Sequence, residues 1–385
     1  MAVDLLFADR IQATAVPVAR SVAPDLALLG SLLERIVGEA RYSNFGVLHQ
    51  QYATLLGRGL SCEQPVLFAN ATMALTTVLR ALNVSGEVIT TPFSFAASAH
   101  AISWAGARPV FCDVDACTLT LDAERVEAAI TPQTTAILPV HIYGQPCDHA
   151  TLQRVAHKHG IPVVYDAAHA FGTGVRGEPV HSWGDATVYS LHASKLTHCG
   201  EGGVLVANND RLRVACELMQ NFGITSEASV DVCGSNGKLP EMSAALGLAV
   251  LPGVLREREL RAELRIRYAQ AMAGIDGVKA FELPTSVTQS EQYFAIRIES
   301  DDPMGAHTRR DAAFTLLRNH NIHARRYFYP LCSDFPHYSH QADASPGNLP
   351  VSHQAAREML CLPFHSGVSS RCVEDIAFLI RQIRP

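Results

Sequence analysis

Tyr165-Asp166-Ala167-Ala168-His169-Ala170-Phe171-Gly172, and further on Tyr189-Ser190-Leu191-His192-Ala193-Ser194-Lys195 followed by Glu201-Gly202-Gly203, decide how this chain is read. The first motif closes the apolar strand that begins at Ile161-Pro162-Val163-Val164, and the second leads into another, Val204 to Ala207. A carboxylate at the end of one strand and a lysine just after the next is the layout that a pyridoxal phosphate enzyme needs. The carboxylate pairs with the protonated pyridine nitrogen, and the lysine forms the Schiff base.

On either side of this stretch, apolar strands alternate with helical segments. Val66-Leu67-Phe68 reads as a buried strand, and Asn70-Ala71-Thr72 opens a helix running to about Leu82, with Leu75, Val78, Leu79 and Leu82 on one face. Strands at Val88, Val110, Ile137 and Val163 follow, separated by helices at 95–104, 123–130 and 150–159. Such alternation with short connections predicts an α/β fold with a mostly parallel sheet covered by helices on both faces. Ligands of such sheets sit at the carboxyl ends of the strands, where Thr91, His141, Asp166 and Ser190 fall. After Ala207 the pattern gives a long helical region, 241–272, interrupted near Pro252, in which the mixed charges of Arg256 to Arg267 read as a solvated helix face. A strand at 292–298 and helices at 309–319 and 372–383 then predict a smaller α+β domain, so the expected division is 1–250 and 251–385.

The chemistry assigns itself to few residues. Asp166 supplies the anion that keeps the pyridine nitrogen protonated, although an Asp after a strand also serves as a turn or cap residue. Lys158, Lys195, Lys238 and Lys279 are the only lysines, and Lys195 alone follows a strand in a loop of small and polar residues. The N-terminus of the helix at Ala71 and Thr72 offers free N–H groups to a phosphate, with Ser190 as a further donor; Asn70 as a plain cap is the competing reading. His169 can bond the phenolic oxygen of the cofactor, and Phe95 either stacks on its ring or belongs to the core. His192 reads equally as a structural histidine.

Composition narrows the class. Of 385 residues, 48% are apolar and 18% charged, which fits a compact globular enzyme, and a net charge of −6 carries no basic footprint for nucleic acid. Ten scattered cysteines show no zinc spacing, and the C-terminal histidines lack a HExxH arrangement, so no metal is expected. The longest apolar run, Met242 to Leu255, is short of a bilayer span and contains Pro252, so a cytoplasmic protein is expected.

These motifs, with Asn44-Phe45-Gly46 near the start and Leu360-Cys361-Leu362-Pro363 near the end, resemble the DegT-type sugar-nucleotide aminotransferases of fold type I. The resemblance implies a large domain with a seven-stranded-type sheet and a smaller C-terminal domain. It implies Lys195 as the Schiff-base residue, Asp166 on the pyridinium, His169 near the phenolic oxygen, Ala71, Thr72 and Ser190 on the phosphate, and Phe95 over the ring. It adds Asn236, reaching the cofactor phosphate of a neighbouring subunit, and hence a homodimer with shared sites. Glu87 to Phe95, Asn236-Gly237-Lys238 with Glu241, and Arg325 to Pro330 point within the family to amination of C4 of a dTDP-4-keto-6-deoxyglucose by L-glutamate, with pyridoxamine phosphate as the intermediate form, for surface polysaccharide such as O-antigen. Amination at C3 and a non-catalytic regulator on the same fold are the alternatives; a dehydratase would carry histidine in place of Lys195. Arg326 and Tyr327 are the substrate-side candidates, for a diphosphate and a hydroxyl. Two departures stand out: Ala71 where the family has glycine, and Leu239-Pro240 after Lys238.

Overall fold

The computed structural model describes residues 10–299 and 303–383. Seven strands form the main sheet: β1 (Val66–Phe68), β2 (Glu87–Thr90), β3 (Arg108–Phe111), β4 (Thr134–Leu138), β5 (Val164–Asp166), β6 (Ala186–Ser190) and β7 (Gly203–Ala207). Their spatial order is β1-β7-β6-β5-β4-β2-β3, with β4 and β5 joined by the parallel bridges Ile137↔Val163 and Val140↔Asp166. All run parallel except β7, which is antiparallel to both its neighbours. Successive side chains of a strand face opposite sides, and the two cores follow that alternation. Val88, Leu138, Val164, Val188 and Leu205 pack on one face, whereas Ile89, Ile137, Tyr165, Tyr189 and Val204 pack on the other. Burial on both faces explains why these strands read as continuous apolar runs.

The helices that matter for the site are α1 (Ala71–Ala81), α2 (Ala96–Ala105) and α3 (Glu241–Met272). The interruption expected near Pro252 does not occur: α3 runs unbroken for 32 residues. Proline within a helix costs about 3 kcal/mol, and here the helix is held from both ends. Ala244, Ala245 and Leu248 belong to the core of the main sheet, and Leu264, Tyr268 and Met272 to a second core. That second core is built on an antiparallel sheet, β8 (Val278–Ala280), β9 (Phe294–Ile298) and β10 (Met359–Leu362), in the order β8-β9-β10. The expected boundary at residue 250 therefore falls inside one helix. The N-terminal segment also crosses over: Val16–Pro17 pairs with Ile322–His323, and Arg10 meets Asp375 at 2.6 Å.

The charged stretch of α3 is solvated only in part: Arg256, Glu259 and Glu263 are exposed, whereas Arg258, Arg261 and Arg265 turn inward. Arg261 is fully buried, with Glu257 at 2.8 Å and the carbonyl of Glu291 at 3.3 Å as partners. Its charge is tolerated because acceptors from three segments surround it.

The first residue of α3 ties the early chain to the sheet. Glu241 is buried, and its carboxylate accepts the N–H groups of Leu48 (2.9 Å) and His49 (3.2 Å) at the start of the helix Val47–Leu60. A Cβ at Gly46 would lie 2.6–2.8 Å from that carboxylate, so the Asn44-Phe45-Gly46 turn needs glycine there. Pro240, one of the two departures, is the N-cap of α3, where extended backbone suits it. Glu241→Ala removes two charge-assisted bonds from a helix N-terminus and is expected to cost about 2–3 kcal/mol in urea unfolding, with Gly46→Ala costing about 1–3 kcal/mol. An unchanged unfolding midpoint in both variants would show that this tether carries no stability.

Candidate active site

Strand register assembles one end of the site. Gly203 lies opposite both Phe68 and Ser190, so the end of β1, the start of β7 and the end of β6 share one level. A Cβ at Gly203 would fall 2.7–2.8 Å from Asn70 and Ala71, and its absence lets the start of α1 settle against the sheet beside Ser190. Asn70 caps α1, its side chain accepting the N–H of Met73 at 2.8 Å. The capping and phosphate readings are therefore compatible, because among the described residues no protein acceptor meets the N–H groups of Ala71 and Thr72. Ala71 is helical with ordinary φ, and the close approach that glycine would serve there is provided by Gly203.

The second end is the carboxylate. Asp166 closes β5, buried, and its Oδ2 accepts the hydroxyl of Ser98 at 2.7 Å while Oδ1 accepts the N–H of Ala168 at 3.0 Å. Burial raises its pKa, and these two bonds together with the positive charge of Lys195 act against that rise. Among the described residues no cation lies within ion-pair distance of it, Lys195 acting on it from farther away. Ser98 was not legible as a site residue, although a serine with no exposure in the apolar stretch Ala96-Ala97-Ser98-Ala99 is the signal that could have found it.

His169 is the third buried group of the site. Its Nδ1 accepts the N–H of Tyr143 at 3.3 Å, which leaves the proton on Nε2, and burial holds its pKa well below 6.5. The ring is therefore a neutral imidazole with an N–H to offer. Phe328 stacks parallel to it at 5.8 Å, and Tyr293 meets it edge-on at 4.6 Å.

Lys195 is half-buried in the loop after β6, and its Nζ donates to the hydroxyl of Tyr293 at 3.1 Å. Burial lowers its pKa to about 8, with Asp166 opposing. Tyr293, like Ser98, was missed, because 98 residues separate it from the lysine it touches. His192 is exposed, bonded through Nδ1 to Ser194 at 2.8 Å.

The outer residues divide. Phe95, the N-cap of α2, is 63% exposed and is therefore no core residue; it borders a cavity of about 260 Å³ with Arg325, Arg326 and Tyr327. Tyr327 reaches the lysine side through an edge contact with Tyr293 at 5.7 Å. Arg326 is not a spare cation: Asp311 holds it at 3.1 Å, and the rings of Phe314 and Tyr329 lie 4.6 and 5.1 Å from its guanidinium. Arg325 is exposed and has no side-chain partner among the described residues. Asn236 is exposed, its backbone bridged to Asn221.

A sequence model of the DegT/DnrJ/EryC1/StrS aminotransferase family matches residues 31–381. The chain is 40% identical over 352 residues to a dTDP-4-amino-4,6-dideoxy-D-glucose transaminase of Shigella dysenteriae, covering 91% of this chain and 94% of that protein. It is 37% identical over 368 residues to one of Escherichia coli, covering 95% and 98%. A crystal structure of DesI in the presence of its TDP-sugar product superposes with a TM-score of 0.92 at 31% identity, covering 99% of this chain and 96% of that one.

The lowered pKa of Lys195 has a measurable consequence. In the cofactor-free protein, competitive acylation of Lys195 should be half-maximal near pH 8, because the neutral amine is the nucleophile. A solvated lysine reaches that point near about pH 10.4, and the same value for Lys195 would contradict the burial described here.

Proposed function

The chain belongs to the DegT/DnrJ/EryC1/StrS aminotransferase family, and from that premise we propose that it moves the amino group of L-glutamate to C4 of dTDP-4-keto-6-deoxy-D-glucose, giving dTDP-4-amino-4,6-dideoxy-D-glucose. The near full-length identity to two transaminases of that product carries the choice of sugar. The family is pyridoxal phosphate-dependent. The residues fit that group: N–H groups at Ala71 and Thr72, without a protein acceptor among the described residues, lie beside Ser190, and the buried Asp166 carboxylate has no cation within ion-pair distance among them. When bound, the cofactor supplies a protonated ring that accepts the electron pair left on the substrate carbon.

The protein's own groups then take distinct parts. Ala71, Thr72 and Ser190 bind the phosphate at the start of α1. Asp166, oriented by Ser98 and Ala168, holds the proton on the ring nitrogen. His169 donates through Nε2 to the phenolic oxygen, and Phe95 covers the ring. Lys195 carries the covalent attachment and, when its amine is free, moves the proton at the substrate carbon; an Nζ neutral from about pH 8 upward suits that work. Tyr327 meets the sugar. The diphosphate falls to Arg325 and Arg326, which border the same cavity, Asp311 being shared between Arg326 and Arg310.

Asn236 and the exposed apolar side chains of Phe222, Ile224 and Val230 beside it favour a homodimer in which this loop completes the neighbouring site. The product's use in surface polysaccharide, a cytoplasmic setting and the division into 1–250 and 251–385, with α3 crossing from one part to the other, complete the reading. Among the described residues no helix is long and apolar enough to cross a membrane.

Borohydride should fix the cofactor on Lys195, and Lys195→Ala should lower transamination by at least about a thousandfold. NMR of the product decides the regiochemistry: an amine at C4 is expected, and an amine at C3 would overturn the assignment.

A further inference from the structure

Two adjacent residues from the C-terminal body close on the lysine loop. Gln292 Oε1 accepts the N–H of Leu196 at 2.8 Å, and its Nε2 donates to the carbonyl of Ser194 at 3.1 Å. Both ends of one buried amide thus fix the main chain immediately before and immediately after Lys195. Tyr293 takes the Nζ itself at 3.1 Å, and its ring is wedged edge-on against His169 and Tyr327.

This segment is in turn held from behind by α3. Arg258 donates to the carbonyl of Gln289 at 2.7 Å, Arg261 to the carbonyl of Glu291 at 3.3 Å, and Arg265 pairs with the carboxylate of Glu291. Residues three and four apart share a helix face, so the three arginines form one row along 289–291. Ser290, between them, donates to the carbonyl of His169 at 2.8 Å. Three of the charges between Arg256 and Arg267, those of Arg258, Arg261 and Arg265, thereby acquire a use: they secure a strap that touches the active site at His169, Ser194, Lys195 and Leu196.

We propose that Gln292 and Tyr293 are positioning residues for the reactive lysine, Gln292 fixing its main chain and Tyr293 holding its amine whenever that amine is not covalently engaged, with Arg258, Arg261 and Arg265 anchoring both. The inference rests on Lys195 being the reactive amine and is independent of which sugar is aminated. The charged or titratable groups that act on the amine are Asp166 and His169, and Tyr293→Phe keeps the ring that packs against His169 while removing the hydroxyl. A hydroxyl that accepts from the ammonium favours the charged form, so its loss makes the amine neutral at lower pH.

The test uses the full-length chain stripped of cofactor by dialysis, with Lys195 acylation followed by mass spectrometry and the exposed Lys158 and Lys279 as internal references. Tyr293→Phe keeps the ring and removes the hydroxyl. Its midpoint for Lys195 should fall by on the order of half a pH unit, with labelling at the reference lysines unchanged. A midpoint that stays or rises overturns the role of Tyr293. In the reconstituted protein, Gln292→Ala should weaken cofactor binding by about tenfold, and Gln292→Glu, which keeps the acceptor for Leu196, by less. Equal cofactor affinity in wild type and Gln292→Ala overturns the role of Gln292. Neither readout depends on turnover of a sugar, so failure of the C4 assignment and failure of the clamp give different results.

Discussion

A buried carboxylate with no cation in ion-pair contact among the described residues is the constraint on which this structure depends. Asp166 closes a central strand, oriented by Ser98 and by the Ala168 N–H, and burial raises its pKa despite both bonds. A site of this kind favours whatever cation fits against it: its carboxylate raises the proton affinity of a neighbouring amine, and its dry surroundings lower it. Lys195 shares them, and burial brings its pKa down to about 8. The same desolvation thus acts on an anion and an amine at one rim, as the roles proposed for Asp166 and Lys195 need.

The remaining architecture brings these groups to one rim and keeps them there. Parallel strands put Asp166 and Ser190 at the same edge, and the single antiparallel strand, β7, begins with the glycine that lets α1 approach. The C-terminal body supplies the other half of the support. Its cluster of Phe93, Tyr143, Ala295, Phe328 and Met359 spans from the sheet edge to β9 and β10, so the wall around His169 is shared by both cores. One helix, α3, is common to both, which ties the placement of the lysine loop to the packing of the second core.

Much of this was legible because local pattern carries it. Apolar runs of strand length, a helix start after β1, and a lysine-poor chain with one lysine in a polar loop were enough to reach Asp166, Lys195, Ser190 and the start of α1. What escaped was contact across sequence distance. Ser98 lies 68 residues from Asp166 and Tyr293 lies 98 from Lys195, and no periodicity encodes those pairings. Charge is hard to place from sequence for the same reason. Arg261 resembled a solvated residue because the carbonyl it meets comes from residue 291, and Arg326 reads as a spare cation because Asp311 and two rings close over it only in the fold.

The central claim is that Asp166 holds a proton on the ring nitrogen of the bound cofactor. Nitrogen-15 NMR of the protein reconstituted with ring-labelled pyridoxal phosphate tests it most directly. The account predicts the chemical shift of a protonated ring nitrogen in the wild type and that of an unprotonated one in Asp166→Asn. An unprotonated nitrogen in the wild type, or a protonated one that survives the substitution, would contradict it.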